Sequence, residues 1–158
     1  MDQSSTMQEE DITIRKARKT DLSEIIGLVR ELAIYEKSED KMIVDLLTYQ
    51  EAFDAQEFEA LIAEVDKQIA GIALYYNRFS TWRGPILYLE DFIVRQQYRR
   101  NGLGKLLFEG FVGEARDRGY AMCAWQVLDW NQPAISFYDK YDVQYEDCWV
   151  DVKMYFNR

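Results

Sequence analysis

The sequence predicts an α/β fold, a mixed, mainly antiparallel central sheet flanked by helices on both faces. Two observations predict it. The hydrophobic periodicities run strand, two helices, three strands, helix, strand, helix, two strands, which is not the strict alternation that a doubly wound parallel sheet requires. In addition, Phe58–Val65 and Ile69–Tyr76 flank Asp66-Lys67-Gln68, a hairpin signal that makes neighbouring strands antiparallel.

The elements follow in order. Ile12-Thr-Ile-Arg-Lys16 alternates and reads as the first strand. Thr20-Asp21 can cap a helix whose apolar positions are Leu22, Ile25, Ile26, Leu28, Val29 and Leu32. Residues 44–53 suggest a shorter second helix, and the hairpin strands come next. Pro85 precedes a strand over Leu87–Val94. The helix after Gly102 carries Leu103, Leu106, Leu107, Phe111 and Val112 on one side. Gly110 and Gly113 inside it each cost about 1 kcal/mol relative to Ala, which close packing against the sheet would explain. Gly119 is the expected C-terminal cap. Tyr120–Leu128 reads as a strand. Asn131 to about Lys140 reads as a helix with Pro133 in its first turn, and final strands are expected near Val143–Tyr145 and Trp149–Phe156.

Composition narrows the setting. Residues 1–11 are polar and acidic and read as a frayed tail, leaving residues 12–158 as a single domain. No apolar run is long enough to span a bilayer. Two cysteines make neither a disulfide framework nor a metal cluster, and the chain has no histidine, so no metal site is expected and a reducing cytoplasm is the simplest setting. Proton chemistry must then run through carboxylates, tyrosines, cysteines or water. With 28 acidic against 19 basic residues, nucleic acid is an unsuitable partner, whereas a small cation would be steered inward.

The most informative segment is the strand Leu87–Val94 running through Tyr98-Arg-Arg-Asn-Gly-Leu-Gly-Lys105 into a helix. The first N–H groups of a helix lack internal partners, and glycines let a phosphate approach them. A P-loop is excluded because Leu106 stands where a Ser or Thr would hold magnesium. A dinucleotide fingerprint is excluded because Leu107 stands where a third small residue belongs. What remains is Arg99-x-x-Gly102-x-Gly104, which resembles the pyrophosphate loop of the Gcn5-related N-acetyltransferases (GNAT), enzymes that bind acetyl-coenzyme A. A second stretch, Trp130-Asn131-Gln-Pro-Ala-Ile-Ser-Phe137-Tyr138, resembles a later motif of the same family.

The resemblance implies that Arg99, Arg100, Asn101, Gly102, Leu103, Gly104 and Lys105 hold the coenzyme phosphates. It implies that Phe92, Ile93 and Val94 pair through their backbone with the pantetheine arm, that Asn131 touches the coenzyme, and that Tyr138 protonates the departing thiolate. Where the family usually ends this helix on Gly, this chain reads Tyr138-Asp-Lys-Tyr-Asp142, and Asp enters the left-handed region less easily. Glu31-Leu-Ala-Ile-Tyr35-Glu36, Tyr75-Tyr76…Trp82, Tyr88-Leu-Glu90-Asp91-Phe and Leu128-Asp-Trp-Asn131 are similar to the spermidine/spermine (diamine) N-acetyltransferase subfamily, whose members are homodimers with shared sites. That implies an amine site lined by Tyr35, Glu36, Trp82, Glu90, Ala124, Trp125, Gln126 and Asp147.

Chemistry supports carboxylates there independently. A primary amine of pKa about 10.4 is neutral in about one molecule in 2,500 at pH 7, a penalty near 4.6 kcal/mol. One carboxylate can hold a distal cation while another accepts the proton, and Glu90 is the candidate acceptor because of its strand. Neighbours on a strand face opposite ways, so Glu90 and Asp91 share a face only if a bulge intervenes. Attack through an acetyl-cysteine at Cys123 or Cys148 lacks a histidine to activate the thiol. A lysine-like substrate such as thialysine would need a cation near the site, for which Arg78 and Arg83 are candidates. A non-catalytic acyl-coenzyme A-binding module is the reading of another class.

Overall fold

The structure, a computed structural model, describes residues 11–99 and 101–156. The chain divides into two compact units, Met1–Gln126 and Val127–Arg158. The first contains β1 (Ile12–Lys16), α1 (Leu22–Tyr35), α2 (Leu46–Asp54), β2 (Glu59–Val65), β3 (Gln68–Ser80), β4 (Gly84–Val94), α3 (Leu103–Asp117) and β5 (Met122–Trp125). The second contains α4 (Gln132–Tyr138). Among the described residues no helix is long and apolar enough to cross a membrane.

The sheet order is β1-β2-β3-β4-β5. The first three pairings are antiparallel, as the hairpin reading requires, and β4–β5 is parallel. The β2–β3 turn is tighter than the sequence suggested. Gln68 already pairs with Val65, so only Asp66 and Lys67 turn the chain, with φ of 49° and 66°. Asp66 also accepts a hydrogen bond from the Asp11 N–H at 3.1 Å. The remainder of the predicted tail lies outside the described residues.

Cross-strand partners share a face, and this assigns the core. Ile62, Ile72 and Ile93 form one row, and Ala60, Leu74 and Asp91 form another on the same side. Leu22, Ile25 and Leu28 of α1 close over these rows, with Tyr49 and Phe53 of α2 packed at the border. The opposite rows, Leu61-Ala73-Phe92 and Tyr75-Leu89, face α3, where Phe92 meets Phe108 and Tyr75 meets Phe111. Gly110 permits this contact, since a Cβ there would stand 3.3 Å from Leu61 Cδ1. Gly113 does not fit the same explanation, because nothing lies within 4 Å of the corresponding point.

Other local expectations change. Asp21 stands at the N-terminus of α1 but does not cap it, because its carboxylate accepts from the Arg15 guanidinium (2.8 and 3.0 Å) and from the Arg18 N–H (2.7 Å). Asp45 does cap α2, accepting from the Thr48 N–H at 2.9 Å. Pro85 lies within β4 rather than before it, opposite Phe79. Gly119 has a φ of 75° directly after α3, as a C-terminal stop requires.

In the second unit, Asn131 caps α4 by accepting from the Ala134 N–H at 3.4 Å. The helix ends at Tyr138, followed by Asp139 in the right-handed region, and Asp142 is not among the residues of positive φ. The Tyr145 hydroxyl donates to Asp139 Oδ1 at 2.8 Å. The final strands expected near Val143–Tyr145 and Trp149–Phe156 do not form among the described residues. Val150, Val152, Met154 and Phe156 alternate as a strand would, yet all are exposed. Alternation gives a segment strand character, but the ladder needs a second backbone within hydrogen-bonding reach.

One contact in the sheet tolerates no side chain. A Cβ on Gly71 would lie 2.8 Å from the Ile93 carbonyl oxygen. Gly71→Ala is expected to destabilise the fold by about 1–3 kcal/mol through overpacking against backbone. Urea unfolding of the variant checks this, and an unchanged midpoint would refute the constraint.

Candidate active site

The site is built where β4 departs from regular pairing. Asp91 is opposite Leu74, but Leu89 is opposite Tyr75, so Glu90 is an extra residue on β4, a β-bulge. The alternation is reset there. Tyr88 faces the α1–α2 side opposite Tyr76, Leu89 faces α3, and Asp91 returns to the α1–α2 side beside Leu74. Glu90 also points to that side, because its Oε2 accepts a hydrogen bond from the Tyr76 hydroxyl at 3.2 Å. The bulge therefore meets the condition for two adjacent carboxylates to share one face.

The same bulge ends a ladder. β5 pairs with β4 only from Met122–Ile86 to Trp125–Leu89. From Glu90 to Val94, β4 is hydrogen-bonded to β3 on one side, and among the described residues no strand takes the other. An edge that no strand takes can pair with an extended ligand through its backbone. Phe92, Ile93 and Val94 lie on it.

The edge leads into the phosphate-type loop. Gly102 precedes α3 with a φ of 72°, which an L side chain adopts only with strain. Leu103, Gly104 and Lys105 form the first turn of α3, whose N–H groups have no helical partners. The Lys105 ammonium is exposed, 4.0 Å from Glu109. Arg99 donates from Nε to the Val94 carbonyl at 2.8 Å and lays its guanidinium 6.0 Å from the centre of the Tyr35 ring. Asn101 is exposed beside Gly102. Arg100, assigned by sequence to the phosphates, lies outside the described residues.

Burial and like charge shape the acidic face. Asp91 is half-buried in the row bordering the apolar core, and this desolvation, with Glu90 and Glu36 nearby, pushes its carboxyl up to about 7. Burial also raises the Glu36 carboxyl. The Tyr76 phenol is pushed up to about 12 by burial and by Glu90. Tyr49 of α2 is likewise pushed up to about 12, by burial and then by Asp91 and Glu90. Sequence patterning did not single out Tyr49. A short helix gives too few turns for its period to show which face an aromatic residue takes.

The remaining sequence-predicted residues distribute as follows. Tyr35 ends α1 and Glu36 is the next residue. Ala124 is in register with Tyr88 and faces the acidic side, whereas the Trp125 ring packs edge-on against Phe108, 5.3 Å away, on the α3 side. Gln126 follows β5. Trp82 is 86% exposed in the β3–β4 turn, so its side chain is not gathered with the carboxylates. Arg78 lies over the Tyr88 ring, 5.3 Å from its centre. In the second unit, Asn131 is the α4 cap, Tyr138 is buried with its ring 5.5 Å from that of Phe137, and Asp147 is exposed.

The model of the acetyltransferase (GNAT) family matches residues 22–142. The chain belongs to that family. It is 35% identical over 141 residues to the thialysine N-epsilon-acetyltransferase of Bos taurus, covering 80% of this chain and 81% of that one. It is 35% identical over 150 residues to the spermidine/spermine N(1)-acetyltransferase-like protein 1 of Homo sapiens, covering 86% of this chain and 21% of that longer protein. Its fold matches the crystal structure of a predicted acetyltransferase with acetyl-CoA from Clostridium acetobutylicum, with a TM-score of 0.73, 20% identity, and coverage of 90% and 96%. This GNAT protein is thus an N-acetyltransferase with a mixed α/β fold and a five-stranded, mostly antiparallel sheet.

The GNAT enzyme carries a stability penalty at Asp91. Its carboxyl titrates near 7 when folded and near 3.9 when unfolded, so the folded state loses stability as pH rises between those values. Asp91→Asn is expected to raise the unfolding free energy by about 2–4 kcal/mol at pH 8 and to change it little at pH 4. Denaturant unfolding at the two pH values checks this, and equal effects at both would refute it.

Proposed function

We propose that this GNAT enzyme transfers the acetyl group of acetyl-CoA to a primary amine of a small cationic acceptor by direct attack in a ternary complex. The observation that carries the reading is the bulge at Glu90, which turns Glu90 and Asp91 to one face near Glu36. Three carboxylates suit a substrate with more than one ammonium group, and the partly apolar setting favours the neutral, nucleophilic form of the attacking nitrogen. Residues 12–158 serve this role as one domain, in a homodimer.

In this reading Arg99, Arg100, Lys105 and the backbone from Asn101 to Gly104 bind the phosphates, and Phe92, Ile93 and Val94 hydrogen-bond the pantetheine arm. One of their N–H groups polarises the thioester carbonyl as an oxyanion donor would. The amine nitrogen attacks the carbonyl carbon, the carbon–sulfur bond breaks, and the amine proton passes to Glu90, through water where the distance requires it. Tyr138 gives its proton to the leaving thiolate and Asn131 contacts the coenzyme. Tyr35, Glu36, Trp82, Ala124, Trp125, Gln126 and Asp147 contribute to the acceptor site.

Two acceptor classes suit these residues. A polyamine or diamine matches the carboxylates alone. A lysine-like amino acid such as thialysine also needs a cation for its own carboxylate, and Arg78 above Tyr88 supplies one beside the acidic face. The thialysine acetyltransferase among the relatives favours this second class.

Release of coenzyme thiol with spermidine, a diamine, lysine and thialysine decides between them. Turnover confined to lysine analogues selects the amino acid, turnover with spermidine selects the polyamine, and coenzyme binding without any turnover would make the chain a non-catalytic module. Tyr138→Phe is expected to reduce turnover by about 10²-fold or more with coenzyme affinity nearly unchanged; normal turnover would remove the general-acid assignment. Gly104→Val is expected to weaken coenzyme binding by blocking the approach to the main chain. Calorimetric titration checks this, and unaltered affinity would place the phosphates elsewhere.

A further inference from the structure

We propose that Arg95 is a positioning residue for the coenzyme, its guanidinium locking the end of β4 and the start of the following loop against β3 and α1. The inference rests on the coenzyme reading above, which gives that edge and loop a use.

Alternation places the side chain. Ile93 lies on the α1 side of the sheet, and Arg95, two residues on, projects to the same side. The register of β4 with β3 ends at Val94, opposite Gly71. Arg95 extends the pairing by one bond, its N–H donating to the Ala70 carbonyl at 2.8 Å. Its own carbonyl accepts from the Tyr98 N–H at 2.9 Å and closes a single 3-10 turn, Gln96–Tyr98. Arg95 is therefore the residue at which the extended edge becomes the loop.

The side chain folds back over that junction. Its Nη1 donates to the Ile69 carbonyl at 2.9 Å, so the main chain and side chain of one residue hold the carbonyls of two neighbouring residues of β3. The same guanidinium meets α1. Nη1 stands 3.8 Å from Glu24 Oε2, and Nε stands 3.6 Å from Glu31 Oε2. Glu24 and Glu31 are two helical turns apart and lie on one side of α1. One cation thus joins β3, β4 and α1.

Stability is a weak reason for this arrangement. The Glu24 and Glu31 side chains are 56% and 52% exposed, and ion pairs so open to water contribute little to folding. They restrict where the guanidinium points, and the guanidinium brings a charge-assisted hydrogen bond to the backbone. What is held in place is the segment assigned to the coenzyme. Phe92, Ile93 and Val94 lie immediately before Arg95, and Arg99, after it, donates to the Val94 carbonyl at 2.8 Å. The segment 94–99 is thereby fixed at both ends, to β3 and α1 through Arg95 and to β4 through Arg99. Ordering a site before its ligand arrives lowers the entropic cost of binding. Arg95 acts through the backbone it holds and touches no reacting atom.

The test is calorimetric titration of coenzyme A into the full-length wild type, Arg95→Met, Arg95→Lys and Gly104→Val. Arg95→Met is expected to bind about tenfold more weakly, having lost the charged donor to the backbone. KM for acetyl-CoA should rise by the same factor, with kcat at saturation unchanged. Arg95→Lys, with one ammonium in place of the planar fork, should fall between. A merely structural role would lower the urea midpoint and leave the affinity of the folded protein alone. Unaltered affinity in folded Arg95→Met overturns the assignment, as does a fall in kcat with KM unchanged. If Arg95→Met does not fold, the double variant Glu24→Gln/Glu31→Gln decides; affinity should weaken about threefold, and no change overturns the assignment. Affinity lost in Gly104→Val but kept in Arg95→Met overturns the role of Arg95 alone. A wild type that binds no coenzyme A overturns the coenzyme reading and this inference with it.

Discussion

The single extra residue at Glu90 is the constraint on which the site depends. A regular β4 would alternate Glu90 and Asp91 between the two faces and would leave one carboxylate among the aromatic rings below α3. The bulge removes that conflict, and Tyr76 holds Glu90 on the acidic side. It also coincides with the end of pairing to β5, so one local irregularity both gathers the acids and frees the strand edge. The proposed acceptor site and the proposed coenzyme edge would thus arise from the same departure from regular pairing.

Glycines act here through what they leave out. Gly71 lets β3 approach the backbone of Ile93, directly behind the free edge, and so fixes how β4 lies on the sheet. Gly102 takes the left-handed conformation that turns the chain from the loop into α3. Arg99 connects the two regions, since its guanidinium reaches back to the Val94 carbonyl while covering Tyr35 at the end of α1. A residue that the sequence assigns to the phosphates is therefore in contact with one that it assigns to the acceptor site.

The acidic face is held against its electrostatic preference. Desolvation and mutual repulsion both oppose charge on Asp91, and nothing in the packing around Ala60 and Leu74 requires a carboxyl there. Side chains that disturb an otherwise apolar surface in this way commonly mark function rather than folding, because the fold would be more stable without them. Tyr76 joins the two parts of this surface, its hydroxyl donating to Glu90 and its ring tilted against that of Tyr88.

Much of the architecture was legible from residue order. The apolar spacing of α1 and α3, the Asp66-Lys67 turn, Gly119 and the glycine-arginine loop each act over a few residues, and local backbone preference is enough to determine them. The family likewise followed from short, contiguous stretches around Arg99–Gly104 and Asn131–Tyr138. The register between β3 and β4 was not legible, because a bulge is a relation between two strands and neither sequence states which residue is left over. That relation put Asp91 and Glu90 on one face. The alternating C-terminal segment shows the converse, for its pattern is that of a strand and it forms none among the described residues. Patterning fixes what a segment is able to do, whereas pairing between distant backbones decides whether it does so.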